Sequence, residues 1–198
     1  MPSSLGHALA GIAAAWSADL VPGNRAWRTA APTASWYRRA GNGVTLVCVM
    51  LATIPDLDLL FRFHRRFTHS LGAVVCVGIV AAAVALRLRL PVIRVALMCA
   101  AAYATHLALD WLAVDEVPPY GIQAFWPFSD AWVISGWNLF RQTERRHFLS
   151  AATMWTNLQA MAQEMAILAP LLLVLWLVRV KALARLSAQM SRGDHPTE

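Results

Sequence analysis

The chain has 198 residues, of which 58% are hydrophobic and only 14% charged, with a net charge of +6 and a mean hydropathy of +0.49. An ordinary soluble domain carries ~25% charged residues, so this composition excludes a disordered chain, a coiled coil and a basic nucleic-acid-binding tail protein. The arginines flank apolar runs, which reads the basic balance as a membrane-topology signal, with no nucleic acid expected as a partner.

Five apolar segments follow in chain order: Leu5–Val21, Val44–Phe61, Thr68–Leu86, Val95–Val114 and Met165–Val178. The second is interrupted near its end by Pro55, Asp56 and Asp58. The last extends backwards through the mixed stretch Phe148–Glu164. Lipid leaves no water to satisfy a broken backbone, so these segments are expected as helices. The expected fold is all-α: a polytopic membrane helical bundle with about four to five transmembrane helices, at ~20 residues per span. It forms one domain over residues 1–198, with its motifs in 6–128 and a helical C-terminal region over 148–190. Cys48, Cys76 and Cys99 stand singly in apolar runs with no CxxC pair. They read as small buried hydrophobes, without a thiolate zinc site or a disulfide framework. No Lys or Arg precedes the first apolar stretch, which argues against a cleaved signal peptide.

The connectors collect the basic residues. With five spans, eleven of the 17 Lys and Arg fall on the side of the first and third connectors and the tail. The positive-inside rule makes that side cytoplasmic. Tryptophans 111, 126, 132 and 137, with Phe125, Phe128 and Phe140, crowd the long fourth connector and its approach. They suit an interfacial belt, or a lid that grips an amphiphile. Arg141, Glu144, Arg145, Arg146 and His147 read as a solvated helix face.

Ionisable residues inside membrane segments are costly and usually functional. Here they group. His7 opens the first segment, Asp56 and Asp58 close the second, His64 and His69 precede the third, and His106 and Asp110 close the fourth. With alternating spans, all seven reach one membrane face, the extracytoplasmic one in the orientation above. His106 and Asp110 are an i, i+4 pair on one helix face. Asp56 and Asp58 follow a proline that ends or kinks the helix, which lets both point into a shared cavity. Arg65 and Arg66, between the two histidines, suit an anion. A mixed set of imidazoles and carboxylates favours Zn²⁺, Mn²⁺ or Fe²⁺ over Cu⁺.

The motifs Gly6-His7, Pro55-Asp56-Leu57-Asp58, His64-Arg65-Arg66-Phe67-Thr68-His69-Ser70 and His106-Leu107-Ala108-Leu109-Asp110 resemble those of the membrane-bound metal-dependent hydrolases of the YdjM type. Pro119-Tyr120-Gly121 and Trp126-Pro127-Phe128 fit the same pattern. The family often has Gly after the His-Arg pair, where this chain has Arg66. The resemblance implies an inner-membrane protein with a hydrolase-type metal site. More distantly, the order of ligands is similar to zinc-dependent phospholipases C and single-strand nucleases, which makes a phosphoester the first substrate to consider.

On this reading one or two divalent ions, zinc first among them, are held by His7, Asp56, Asp58, His69, His106 and Asp110 and activate water. Asp58 or Asp110 takes the proton, His64 orients or completes the ligand set, and Arg65 and Arg66 stabilise developing charge. The expected substrate is an ester, first a phosphoester of a lipid or other amphiphile, and the expected partners are membrane lipids. The alternative is a non-catalytic protein that binds or transports a metal ion.

Overall fold

A computed structural model of the chain describes residues 1–20, 43–61, 65–145, 147 and 149–193. Five α-helices run through them: α1 Ser4–Leu20, α2 Gly43–Thr53, α3 Leu71–Arg87, α4 Val92–Leu112 and α5 Ala151–Gly193. The fold is all-α. Among the described residues, β-type pairing is confined to two isolated bridges, Ala113 with Phe140 and Ile122 with Val133.

Helix α1 packs on α2, α4 and α5, and α4 packs on α1, α2 and α3. Small residues bring the helices close. A Cβ on Gly11 would stand 2.7 Å from the Cys48 carbonyl oxygen and 2.9 Å from Ala52 Cβ, the close backbone approach typical of helix pairs in lipid. Ala15, Cys48, Ala85, Met98, Cys99 and Ala102 continue this tight core. Cys48 and Cys99 are buried free thiols within it, while Cys76 is exposed.

Helix α4, with 21 residues, and Ala151–Lys181 of α5, with 31, are long and apolar enough to cross a membrane. Helices α1 and α3 have 17 residues each and α2 has 11, short of the ~20 that a full span needs. Bulky apolar side chains face outward nonetheless: Ile79 on α3 is 64% exposed and Ile93 on α4 is 76% exposed. The buried polar set includes His7, His69, His106 and Asp110. Apolar outside and ionisable inside is the arrangement lipid demands.

The second apolar segment changes character at its proline. Helix α2 stops at Thr53, and a 3₁₀ segment Ile54–Phe61 carries Pro55, Asp56 and Asp58. The last segment and the mixed stretch before it form one helix of 43 residues, with Pro170 inside it. Ser150 Oγ accepts from the Thr153 amide at 3.2 Å and caps its start.

The connector 113–150 is tied to the helix ends by backbone bonds. Val114 N donates to Phe140 O, Leu139 N to Leu112 O, and Leu71 N to Ala124 O, each at 2.8 Å. Phe128 and Trp137 are exposed aromatics of the connector, at 95% and 76%.

Candidate metal centre

The start of α1, the end of α2, the turn before α3 and the end of α4 meet at one end of the bundle. Each is positioned by local chemistry. Ser3 caps α1 by accepting from the Gly6 amide at 3.2 Å. The buried Glu164 of α5 accepts from Ser3 N at 2.6 Å and also from Ser3 Oγ, placing a negative charge at the positive end of α1. Gly6 leaves room for that carboxylate, since a Cβ there would stand 2.7 Å from Glu164 Oε2. His7 follows directly. At the other elements, Ser70 caps α3 through the Ala73 amide at 3.1 Å, and Tyr103 Oη donates to the Thr68 carbonyl at 2.7 Å, tying α4 to the turn that carries His69.

Three donor atoms form a nearly equilateral triangle. His69 Nε2 and His106 Nε2 are 3.0 Å apart. Asp110 Oδ2 lies 3.3 Å from His69 Nε2 and 3.2 Å from His106 Nε2. Ligands at ~2.0–2.2 Å from a tetrahedral ion are separated by roughly 3.4 Å, so the triangle has the size of one tetrahedral face. The His106 ring stacks on His7 with centroids 3.7 Å apart. His7 Nε2 lies 3.5 Å from Asp110 Oδ1, and Asp56 Oδ1 lies 3.9 Å from His106 Nε2. Thus His69, His106 and Asp110 make one possible ligand triad, and His7, Asp56 and His106 another.

The far side of each imidazole is held separately. His106 Nδ1 pairs with the Ala52 carbonyl at 2.8 Å, so it carries the hydrogen and Nε2 presents its lone pair. His69 Nδ1 lies 3.2 Å from Asp58 Oδ2 and 2.9 Å from Thr68 Oγ1. Such outer partners fix the tautomer and orientation of metal-binding histidines. His69 belongs to the 3₁₀ turn Phe67–His69, outside α3. Burial opposes its charging, but the carboxylates of Asp110 and Asp58 on either side prevail and raise its pKa to about 9. The ligand atoms also pass a direct test of fit. Both ring nitrogens of His7, Asp56 Oδ1 and both carboxylate oxygens of Asp110 are buried without a hydrogen-bond partner. Buried polar atoms left in that state are costly, and a divalent cation would satisfy one ring nitrogen of His7 together with carboxylate oxygens of Asp56 and Asp110.

The two aspartates that follow Pro55 separate. A 3₁₀ helix has 3.0 residues per turn, so positions i and i+2 point about 120° apart. Asp56 faces the ligand cluster, whereas Asp58 accepts from Arg65 N at 3.1 Å and from Thr68 Oγ1, behind His69. Asp58 therefore joins neither triad, and the expected shared cavity for the pair is not formed. Arg65 is buried, with its guanidinium on Asp115 and on the Val117 carbonyl at 3.1 Å, over the Trp132 ring. Its φ of +68° is left-handed, which lets its amide reach Asp58 while the side chain runs to Asp115. Arg66 is exposed. His64 lies outside the described residues.

Three contributors carried no sequence signal: Glu164 beneath α1, Asp115 beneath Arg65, and Arg145, whose Nη2 lies 3.5 Å from Asp56 Oδ1. A motif scan could have nominated Glu164 only as a lone acid inside an otherwise apolar helix.

Comparison with protein families decides the membership, since a family described as YdjM inner membrane protein matches residues 1–186. The chain belongs to the YdjM inner membrane protein family. No curated protein and no solved structure matches it. In this YdjM-family chain the match covers every residue of the two possible triads, together with Glu164.

Proposed function

We propose that this YdjM-family protein is a membrane-embedded metal-dependent hydrolase acting on an ester, first a phosphoester of a lipid or another amphiphile. The observation that carries the reading is the triangle of His69 Nε2, His106 Nε2 and Asp110 Oδ2, with edges of 3.0, 3.3 and 3.2 Å. His7 and Asp56 are within reach to complete the set. Both possible triads draw on His106, whose Nδ1 is engaged by Ala52. One imidazole nitrogen binds one ion, so the arrangement favours a single ion, with zinc first and Mn²⁺ or Fe²⁺ also suited to these donors.

A divalent ion held there would supply the Lewis acidity that activates water for hydrolysis. The chain's own residues do the rest. Asp58 and Ala52 hold the two imidazoles with their Nε2 atoms turned inward. Asp56, with 13% of its side chain exposed against 1% for Asp110, is the cluster carboxylate that meets solvent. It is therefore placed to accept the proton released from water.

An amphiphilic substrate is supported by a groove of about 1090 Å³ between α1, α4 and α5. It runs on α1 from Ala10, one turn beyond His7, to Ala18, and on α4 from Leu109, beside Asp110, to Val92. The stretch from Val92 to Leu109 rises ~26 Å along α4, close to the ~30 Å depth of a bilayer's hydrocarbon core. Leu97, Met98, Leu168 and Leu171 line it, a surface suited to an acyl chain. We read α1 to α5 as spans, which puts the metal cluster at the extracytoplasmic face. The rival reading, metal transport, wants polar groups through the depth of the bundle, and the proposed ligands gather at one end.

The test is hydrolysis by purified protein in lipid nanodiscs. Bis-(p-nitrophenyl) phosphate, p-nitrophenyl acetate and radiolabelled phospholipid are offered before and after EDTA stripping and zinc add-back. The reading expects hydrolysis that EDTA abolishes, zinc restores and His106→Ala lacks. Zinc flux into proteoliposomes without hydrolysis of any of the three would favour transport.

A further inference from the structure

We propose that the turn 123–130 is a membrane anchor: Phe125 and Phe128 enter the lipid at headgroup depth and hold the candidate metal centre at that level. The proposal rests on the reading of the helices as spans. It narrows the substrate to a lipid whose scissile ester lies at the surface of the leaflet.

The turn is closed by its own hydrogen bonds. Phe128 N and Ser129 N both donate to the Phe125 carbonyl, at 2.9 and 3.2 Å, and Trp126 N donates to the Gln123 carbonyl at 3.2 Å. Gln123 Nε2 donates to the Asp130 carbonyl at 3.1 Å and joins the two ends. On this bonded frame Phe128 is 95% exposed and Phe125 is more than half exposed. Residues 117–129 carry no charged side chain. An uncharged turn that holds two phenylalanines outward is suited to an apolar partner.

That partner is lipid, because the turn continues the outward face of α3. Leu71, Val75 and Ile79 follow at steps of four on one side of the helix and are each more than half exposed. Just before them, Phe67 is exposed too, and its ring lies 6.1 Å from that of Trp126. The Leu71 amide, one of those a helix start leaves free, donates to the Ala124 carbonyl, so the turn lies over this end of α3. The fit is close, since a Cβ on Gly72 would stand 2.8 Å from the Trp126 carbonyl oxygen. The 17 residues of α3 rise ~26 Å, short of the ~30 Å of a hydrocarbon core. The aromatic turn extends the apolar stripe at an end of that short helix, and aromatic side chains there favour the bilayer interface.

The same turn is joined to the site. Gln123 N donates to the Arg65 carbonyl at 3.1 Å, and Arg65 N donates to Asp58 behind His69. Phe67, against Trp126, and His69, in the ligand triangle, belong to one 3₁₀ turn. An anchor in the headgroup zone therefore sets the depth of the ligand cluster. The ester of a lipid already lies at that depth, and its acyl chain has the groove between α1, α4 and α5 below it.

The experiment is power-saturation electron paramagnetic resonance on the full-length chain in phosphatidylethanolamine–phosphatidylglycerol nanodiscs. Cys76→Ala removes the exposed thiol, while Cys48 and Cys99 stay buried. Single nitroxides are attached at Phe128→Cys, at Phe67→Cys, at Ile79→Cys as the lipid reference and at the exposed Glu116→Cys as the water reference. Collisions with oxygen, which concentrates in lipid, are compared with collisions with a water-soluble nickel chelate. The proposal expects the oxygen-to-nickel ratio at Phe128 to exceed that at Glu116 at least threefold. A smaller difference overturns it. So does shielding of the Phe128 label from both colliders, which would assign the turn to a protein partner or a second copy. Adding Phe125→Ser and Phe128→Ser to the Phe67→Cys chain should lower the ratio at Phe67 at least twofold, and a smaller fall overturns the claim that the turn sets the depth of the site. If Ile79 reads as lipid while Phe128 reads as water, the anchor alone fails. If Ile79 also reads as water, the reading of the helices as spans fails with it.

Discussion

Asp58 meets His69 on the side away from the ligand triangle, with Oδ2 at 3.2 Å from Nδ1 while Nε2 faces His106 at 3.0 Å. The carboxylate thereby fixes which nitrogen of His69 is turned inward. Outer partners of this kind typically alter metal affinity ~10–100-fold when removed. Asp58→Asn should lower zinc affinity by that order while the helices stay folded, as read by competition with a fluorescent chelator and by circular dichroism. Unchanged affinity would mean that Asp58 does not orient His69.

Glu164 is the anchor of α1. It is fully buried and receives the Ser3 amide and hydroxyl. Glu164→Ala takes the acceptor from the half-buried Ser3 amide, at a cost towards the lower end of the ~1–3 kcal/mol of a fully buried donor. Its thermal unfolding midpoint in detergent should fall, and Glu164→Gln, which keeps an acceptor oxygen, should fall less. Equal midpoints for all three proteins would contradict the role given to Glu164.

Close packing of α1 on α2 is a separate requirement. Any side chain at Gly11 meets the Cys48 carbonyl and the Ala52 methyl, and Ala52 also supplies the carbonyl that orients His106. Gly11→Val is expected to lose stability and zinc affinity together. Loss of stability with full zinc affinity would separate this packing from the site.

Much of the candidate cluster is legible in the sequence because helices have fixed geometry. An i, i+4 spacing puts His106 and Asp110 on one face, and alternation of apolar segments brings His7, Asp56 and His69 towards the same end. The proline that ends α2 was visible too, because a missing amide cannot be hidden. What followed it was not, since the choice of a 3₁₀ turn decides that Asp56 and Asp58 diverge. The supports of the site were also hidden. Ser3 and Glu164 are 161 residues apart, Arg65 and Asp115 are 50 apart, and no local periodicity links such pairs. The Arg65-Arg66 run resembles an anion site until tertiary packing spends Arg65 on Asp115. Arg145 reads as solvated until the connector folds back on Asp56.

Topology gives a further check on the proposed orientation. In a chain with Cys48, Cys76 and Cys99 replaced by alanine, single cysteines are placed at exposed Trp137 in the long connector and at exposed Arg89 between α3 and α4. A membrane-impermeant maleimide added to intact cells should label Trp137→Cys and spare Arg89→Cys. The reverse pattern would put the cluster on the cytoplasmic side.

The metal content of the purified protein bears most directly on the site itself. After zinc loading and desalting, elemental analysis should find about one equivalent in the wild type, the single ion expected when both triads depend on one His106 nitrogen. His69→Ala and His106→Ala should each lose at least about half of that equivalent. A wild-type chain without bound metal, or variants that keep the full equivalent, would contradict a metal centre built on His69, His106 and Asp110.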